Sequence, residues 1–167
     1  MLVPSTGGGI DTVQQFIRDR GIEAEIRILA PESTRTSASA AEALGDSIAE
    51  IAKTIGFVLS TLTGVNPILV ILSGDKRVSM PRLVQFLQIP ERSLRKMTAE
   101  EVKDLTGYSI GEVPPFPHRD GIRTLVDQKL FRFDKVWAAA GSTNALMHLS
   151  PLILVDQLGL ELAQVSE

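Results

Sequence analysis

Thirteen consecutive residues, "TGYSIGEVPPFPH" from Thr106 to His118, hold two glycines, three prolines, the only tyrosine of the chain and one of its two histidines. Proline fixes φ and removes a donor, while glycine admits backbone conformations closed to other residues. A segment alternating the two is neither an ordinary helix nor a central strand, so it reads as a shaped loop. The question such a loop raises is what it is shaped around. His118 closes it, where an imidazole can donate to a ligand or act as a base near neutral pH. A surface histidine beside the "HRDG" turn is the competing reading.

Lys53 is the second candidate. From Ile48 to Leu59 the chain is nearly all apolar or small, with Glu50 the only other charge. Its stem can pack along apolar surface while the ammonium reaches water. Alternatively, the ammonium stands at a cleft mouth as a point charge for a phosphate or carboxylate, facing the proline loop.

Other chemistries lack their residues. Zero cysteines exclude thiolate catalysis and cysteine zinc sites, and His118 and His148 have no metal-ligand spacing, so neither metal nor cofactor is expected. There is no G-x-S-x-G elbow for a serine nucleophile, and "TGGG" and "AAAGST" match neither a P-loop nor a G-x-G-x-x-G pattern. The net charge of -3 gives no global attraction to nucleic acid. Locally, Asp75 to Lys96 sets Lys76, Arg77, Arg82, Arg92, Arg95 and Lys96 against only Asp75 and Glu91, which is either a phosphate-facing surface or a solvated face.

The elements that must position these residues follow from capping and periodicity. Asp11 opens a helix through Val13, Phe16 and Ile17 that stops at Gly21. "EAEIRIL" alternates as a strand. Thr36 to Ser39 cap an Ala-rich helix ending at Gly45. "IAKTIGFVLS" and "NPILVILS" form a central antiparallel hairpin. Ser79 and Pro81 start one helix, and a Thr98/Glu101 capping box starts another that Gly107 ends. After the loop, "IRTLVD", "KVWAAAG" and "NALMHL" are strands. "SPLILVDQLG" is a terminal helix with Ser150 as cap and Gly159 as stop. This order implies an α/β fold of the α+β type, a mixed and mainly antiparallel sheet with helices around it.

With 167 residues and 44% apolar composition, the chain fits one domain over residues 11–167 behind a flexible leader, residues 1–10. No run is long enough to span a membrane, and the N-terminus lacks a secretion signal, so a cytoplasmic protein is expected.

Taken together, "STRTSASAAEALG", "IAKTIGFVL" with its lysine, "TGYSIGEVPPFPH", "WAAAGS" and "SPLILVDQLG" resemble the YbaK/prolyl-tRNA-synthetase-associated editing domains, from about Val13 to about Leu160. The resemblance implies a free-standing aminoacyl-tRNA deacylase that hydrolyses the ester of an amino acid wrongly attached to tRNA, commonly tRNA(Pro). Its partners would be the tRNA acceptor end and prolyl-tRNA synthetase. The family lysine matches Lys53, which in relatives sits at the 3′-terminal adenosine and its phosphate. The G-x-x-P loop matches Gly111 to Pro114, the final histidine matches His118, and a pocket glycine matches Gly141. Lys53, Gly111 and His118 are thereby implied in catalysis. Thr36, Tyr108, Glu112, Val113, Pro114, Gly141 and Ser142 are implied in substrate binding.

Many relatives have glycine where this chain has Glu112 and Pro117, and some have an aspartate where it has Leu146. Glu112 and Pro117 keep open a noncatalytic tRNA-binding module of the same fold, and the net negative charge keeps open a protein of that fold that binds a small acidic ligand between Lys53 and the loop, with no nucleic acid involved.

Overall fold

A computed structural model describes residues 9–167. Residues 1–8, most of the expected leader, lie outside the described residues. Gly9 and Ile10 do not belong to a leader: they begin helix α1 (Gly9–Arg20), so Asp11 sits in its first turn and is not its cap. Val13 is fully buried on the inner face of α1, and Gly21, at φ +60°, ends the helix.

Strand β1 (Ala24–Ile28) leads to helix α2 (Ser37–Leu44). Thr36 caps α2 in a reciprocal box with Ser39, and Gly45 closes it in the left-handed conformation. Strands β2 (Ile51–Thr61) and β3 (Gly64–Ser73) form an unbroken antiparallel hairpin. Pro67 is tolerated inside β3 because it lies opposite Val58 in a non-hydrogen-bonded pair and the next strand over begins to pair only at Ile68.

Helix α3 (Met80–Leu87) is capped by Ser79, and α4 (Ala99–Thr106) carries the Thr98/Glu101 box and the Gly107 stop. Between them lies a short strand absent from the sequence expectation, β4 (Leu94–Lys96), which pairs with the outer half of β2. Strands β5 (Arg123–Asp127), β6 (Val136–Ala139) and β7 (Ala145–Leu149) come after the loop.

The expected terminal α-helix is corrected by the structure. Residues Ile153–Gln157 form a wide π-type turn in which the Leu158 N–H bonds the Ile153 carbonyl at 3.0 Å. The wider turn keeps Leu154 in the core, at 1% exposure, while returning the chain to a further strand, β8 (Glu161–Ala163). The buried carboxylate of Asp127 anchors the chain beyond β8, accepting from the N–H groups of Val165 and Ser166 and from the Ser166 hydroxyl.

Among the described residues these eight strands form one sheet in the order β1-β7-β6-β2-β3-β5-β8, with β4 beside β2. Antiparallel pairings dominate; β2/β6, β3/β5 and β5/β8 are parallel. The β2–β3 hairpin is central, as the apolar runs predict. Among the described residues, no helix is long and apolar enough to cross a membrane.

The pleat divides the core. Ala52, Gly56 and Val58 of β2 face a layer built from α1, α4 and the proline loop, with Val13, Val102, Tyr108 and Val113 packed there. Ile51, Ile55 and Phe57 face the opposite layer, where α2 contributes Ala40 and Ala41 and α3 contributes Leu83. The candidate residues are therefore distributed over both faces of one strand.

Candidate active site

The central feature is an opening in the sheet. On the side of β2 away from β3, β6 pairs only at Ile51 and Ala52, and β4 only from Phe57 to Leu59. Lys53 to Ile55 have no strand beside them there. The Gly56 carbonyl accepts from Met97 across this side at 2.9 Å, whereas the Ile51 carbonyl accepts from Gly74 on the β3 side at 2.6 Å. Strand alternation then turns the Thr54 peptide N–H and C=O into the opening.

A cavity of about 340 Å³ fills this opening. Arg35, Thr36 and Ser37 enter it from the start of α2, Lys53 and Thr54 from β2, Gly111 and Val113 from the proline loop, and Ser142 from the β6–β7 turn. Leu146 closes the back, at 8% exposure. The walls thus combine hydroxyls, two cations and open backbone at one concave place.

The ammonium of Lys53 does not face the proline loop as the sequence reading expects. The pleat sends the side chain to the α2 face, where it lies 3.5 Å from the Gly74 carbonyl, so lysine and loop flank the cavity from opposite layers. Burial lowers the Lys53 pKa; Asp75 pulls it back up, and Lys96 and Arg77 push it further down. Lys53 thus feels one anionic neighbour, Asp75, and two cationic ones, Lys96 and Arg77, at this end of the sheet.

The loop needs its glycine at one position. A turn from Ser109 to Glu112 closes through the Glu112 N–H on the Ser109 carbonyl at 2.9 Å, with Gly111 at φ +84° as its third residue. This is the position where a type II turn requires a positive φ. Of the loop residues that wall the cavity, Ile110, Gly111 and Val113, none has its N–H in a backbone hydrogen bond among the described residues, whereas the Glu112 N–H is engaged and Pro114, Pro115 and Pro117 have no donor. Glu112 itself is half-buried and is not a wall of the cavity.

His118, Tyr108 and Pro114 support the loop and do not line the cavity. The His118 Nε2 lies 2.7 Å from the Pro114 carbonyl, which assigns the proton to Nε2 and makes it the donor. Burial pushes the imidazole pKa down to about 4, so the ring is neutral around pH 7. Tyr108 is buried edge-on to it, ring centroids 6.2 Å apart. His118 instead borders a second cavity behind the loop, also about 340 Å³, together with Phe16, Arg20 and Phe116.

A model of the aminoacyl-tRNA editing domain matches residues 31–156, which include every wall of the main cavity. The chain belongs to the aminoacyl-tRNA editing domain family. Over 119 residues this editing domain is 33% identical to the uncharacterized protein YwhH of Bacillus subtilis, covering 71% of the chain and 72% of YwhH. It is 28% identical over 120 residues to the multifunctional Ser/Thr-tRNA deacylase ProXp-y of Escherichia coli K12, covering 71% and 70%. Among solved structures, a candidate trans-editing enzyme for prolyl tRNA synthetase superposes with a TM-score of 0.81 at 33% identity, covering 100% of this chain and 99% of that one. The hypothetical protein APE2540 superposes at 0.84 with 36% identity, covering 93% and 99%.

Gly141 serves the editing domain as a packing residue next to the cavity. Its φ is +93°, and an added Cβ would lie 2.7 Å from the Gly9 carbonyl oxygen and 3.2 Å from the Tyr108 ring. Gly141→Ala should therefore cost about 2–4 kcal/mol in urea denaturation, combining strain with overpacking. Gly121→Ala is the control, because Gly121 has φ +88° with nothing within 4 Å of its added Cβ. Equal losses in the two variants would show that the contact with α1 contributes nothing.

Sequence reasoning missed Arg35, Thr54 and Ile110 among the cavity walls. Arg35 lies within the "STRTSASAAEALG" segment but carries no spacing signal, and the role of Thr54 depends on which strands fail to pair. The basic segment also divides on folding. Arg95 is held by Glu101 through two hydrogen bonds of 2.6 and 2.8 Å, and Arg82 donates to the Ser166 carbonyl. Arg77 and Lys96 are the members whose charge is felt at Lys53.

Proposed function

We propose that this editing domain hydrolyses the ester of a mischarged aminoacyl-tRNA in trans, with tRNA(Pro) carrying a small amino acid as the preferred substrate. The observation that carries the reading is the cavity at the sheet opening, where cations, hydroxyls and a rigid glycine–proline loop converge with no histidine, carboxylate or thiol among the walls to serve as nucleophile or to activate a hydroxyl. An aminoacyl ester is already activated, so positioning and oxyanion stabilisation suffice. Family membership, the deacylase relative and the trans-editing neighbour support it.

In this reading Lys53 and Arg35 hold the phosphate and ribose of the 3′-terminal adenosine, aided by the hydroxyls of Thr36, Ser37 and Ser142 and by the N-terminal dipole of α2. The Gly111 and Val113 N–H groups receive the carbonyl oxygen as negative charge develops on it. Water adds to the carbonyl carbon, the bond to the ribose oxygen breaks, and the water proton ends on that oxygen. The products are a free tRNA 3′ end and an amino acid. His118 is a positioning residue that ties the loop to itself.

The test is single-turnover deacylation of a panel of alanyl, cysteinyl, seryl and threonyl esters on several tRNAs. Selective loss of one ester is expected; persistence of all of them would leave a tRNA-binding module without catalysis. Lys53→Ala should weaken tRNA binding about tenfold and reduce its salt dependence, because a phosphate contact is removed. Unchanged binding with an intact fold would take Lys53 out of the tRNA contact.

A further inference from the structure

Strand β1 stands at the end of the sheet, with β7 on one side and no strand on the other among the described residues. It pairs with β7 in unbroken register, from Ala24 opposite Leu149 to Ile28 opposite Ala145. The Leu29 N–H continues that ladder by donating to the Asn144 carbonyl at 2.8 Å. Alternation then turns the peptide groups of Glu25 and Arg27 toward β7 and those of Ile26 and Ile28 away from the sheet. The Ala24 carbonyl faces outward with them, while the Ala24 N–H is held by the Ile22 carbonyl at 3.1 Å. Edge strands are commonly guarded by a bulge, a proline or a lysine, and β1 has none of these.

The side chains divide by face. Ile26 packs into the α1 layer, and Ile28 follows it on that face with 63% of its surface exposed. Glu25 and Arg27 share the α2 face, where the Arg27 guanidinium lies 4.9 Å from the centre of the Trp137 ring. The two charges meet at 3.5 Å and remain 65% and 47% exposed. Such a contact contributes little to the fold of one chain. It does place one acid and one base on either side of Ile26.

We infer that β1 pairs antiparallel with β1 of a second copy of this chain, about a two-fold axis through Ile26 and perpendicular to the sheet. That register sets Glu25 opposite Arg27 of the second copy and Arg27 opposite its Glu25, so acids and bases alternate around the axis. Ile26 exchanges both backbone hydrogen bonds with its own counterpart, and the Ile28 N–H donates to the Ala24 carbonyl of the other copy. Ala24 also covers the exposed Ile28 across the pair. Moving the axis by one residue would set Glu25 against Glu25 or Arg27 against Arg27, so the charges select a single register. The pairing is independent of the chemistry proposed for the main cavity, which opens beside β2 with β7 and β6 in between.

The test is sedimentation equilibrium of the full chain and its charge variants. The wild type should reach twice the chain mass of 18.1 kDa. Glu25→Arg would gather only arginines around the axis, and Arg27→Glu only glutamates. Each variant alone should therefore dimerise at least about tenfold more weakly, because like charges lie directly opposite. Mixed together, the two variants restore every acid–base pair and should form the dimer again. The double variant Glu25→Arg/Arg27→Glu should do so by itself. Circular dichroism confirms that each exposed substitution leaves the fold intact. A wild type that stays monomeric up to about 100 µM would overturn the inference. So would single variants that dimerise as the wild type does, or a mixture that associates no better than its components.

Discussion

Gly111→Ala should lower single-turnover deacylation about 100-fold on the best substrate of the panel, while His118→Ala should lower it less. The expected loss is conformational. An alanine Cβ at 111 would meet nothing within 4 Å, but the residue holds φ +84°, where an L side chain costs about 1–2 kcal/mol. The turn escapes that strain by rotating its central peptides, which redirects the N–H groups of Gly111 and Val113. Loss of one aligned oxyanion donor typically costs 10²–10³ in rate, roughly 3–4 kcal/mol. His118 acts one step removed, through its 2.7 Å bond to the Pro114 carbonyl, and proline rings continue to restrict the loop when that bond is lost. The thermal midpoint of each variant separates a misaligned loop from an unfolded one. Activity surviving in Gly111→Ala but abolished in His118→Ala would reverse the order of importance and make His118 part of the chemistry.

Acidification from pH 6.5 to 4 should destabilise the fold by up to about 3 kcal/mol through His118 alone. The folded imidazole is pushed down to about 4 by burial, against an ordinary value of 6.5 in the unfolded chain. The unfolded chain therefore takes up the proton first. The contribution is complete above about pH 6.5 and falls as the pH drops toward 4. His148, whose pKa burial also lowers, acts in the same direction. His118→Gln removes one titration while leaving an amide that can donate to Pro114. Its urea midpoint should fall less steeply between pH 6.5 and 4 than that of the wild type. Parallel curves would mean that the imidazole is solvated in the folded protein.

Much of this organisation is local and was therefore legible in the sequence. The Thr98/Glu101 box, the Ser79 cap, the Gly45 and Gly107 stops and the β2–β3 hairpin all depend on residues within a few positions of one another. Local rules misplaced the start of α1 and read an α-helix where Ile153–Gln157 forms a wider turn. They also gave no hint of β4 or β8, three-residue strands that exist because β2 and β5 offer an edge, with too few residues for a periodic signal.

The site divides in the same way. A glycine at a left-handed turn position and a chain of prolines mark the loop by their own dihedral limits, so Gly111 and its neighbours were visible in one dimension. Lys53 was visible as a charge inside an apolar strand. Which way that lysine points depends on the parity of β2 in its sheet, and parity is set by pairing with β3 and by the layers on either side. The cavity itself is a gap between two partners of β2 that are far apart in the chain, and a gap has no residues of its own to announce it. The sequence alone determined the parts that act through their own backbone or charge. Tertiary structure decided which of them share a cavity, because strand pairings between distant segments choose which backbone stays open and which face each side chain takes.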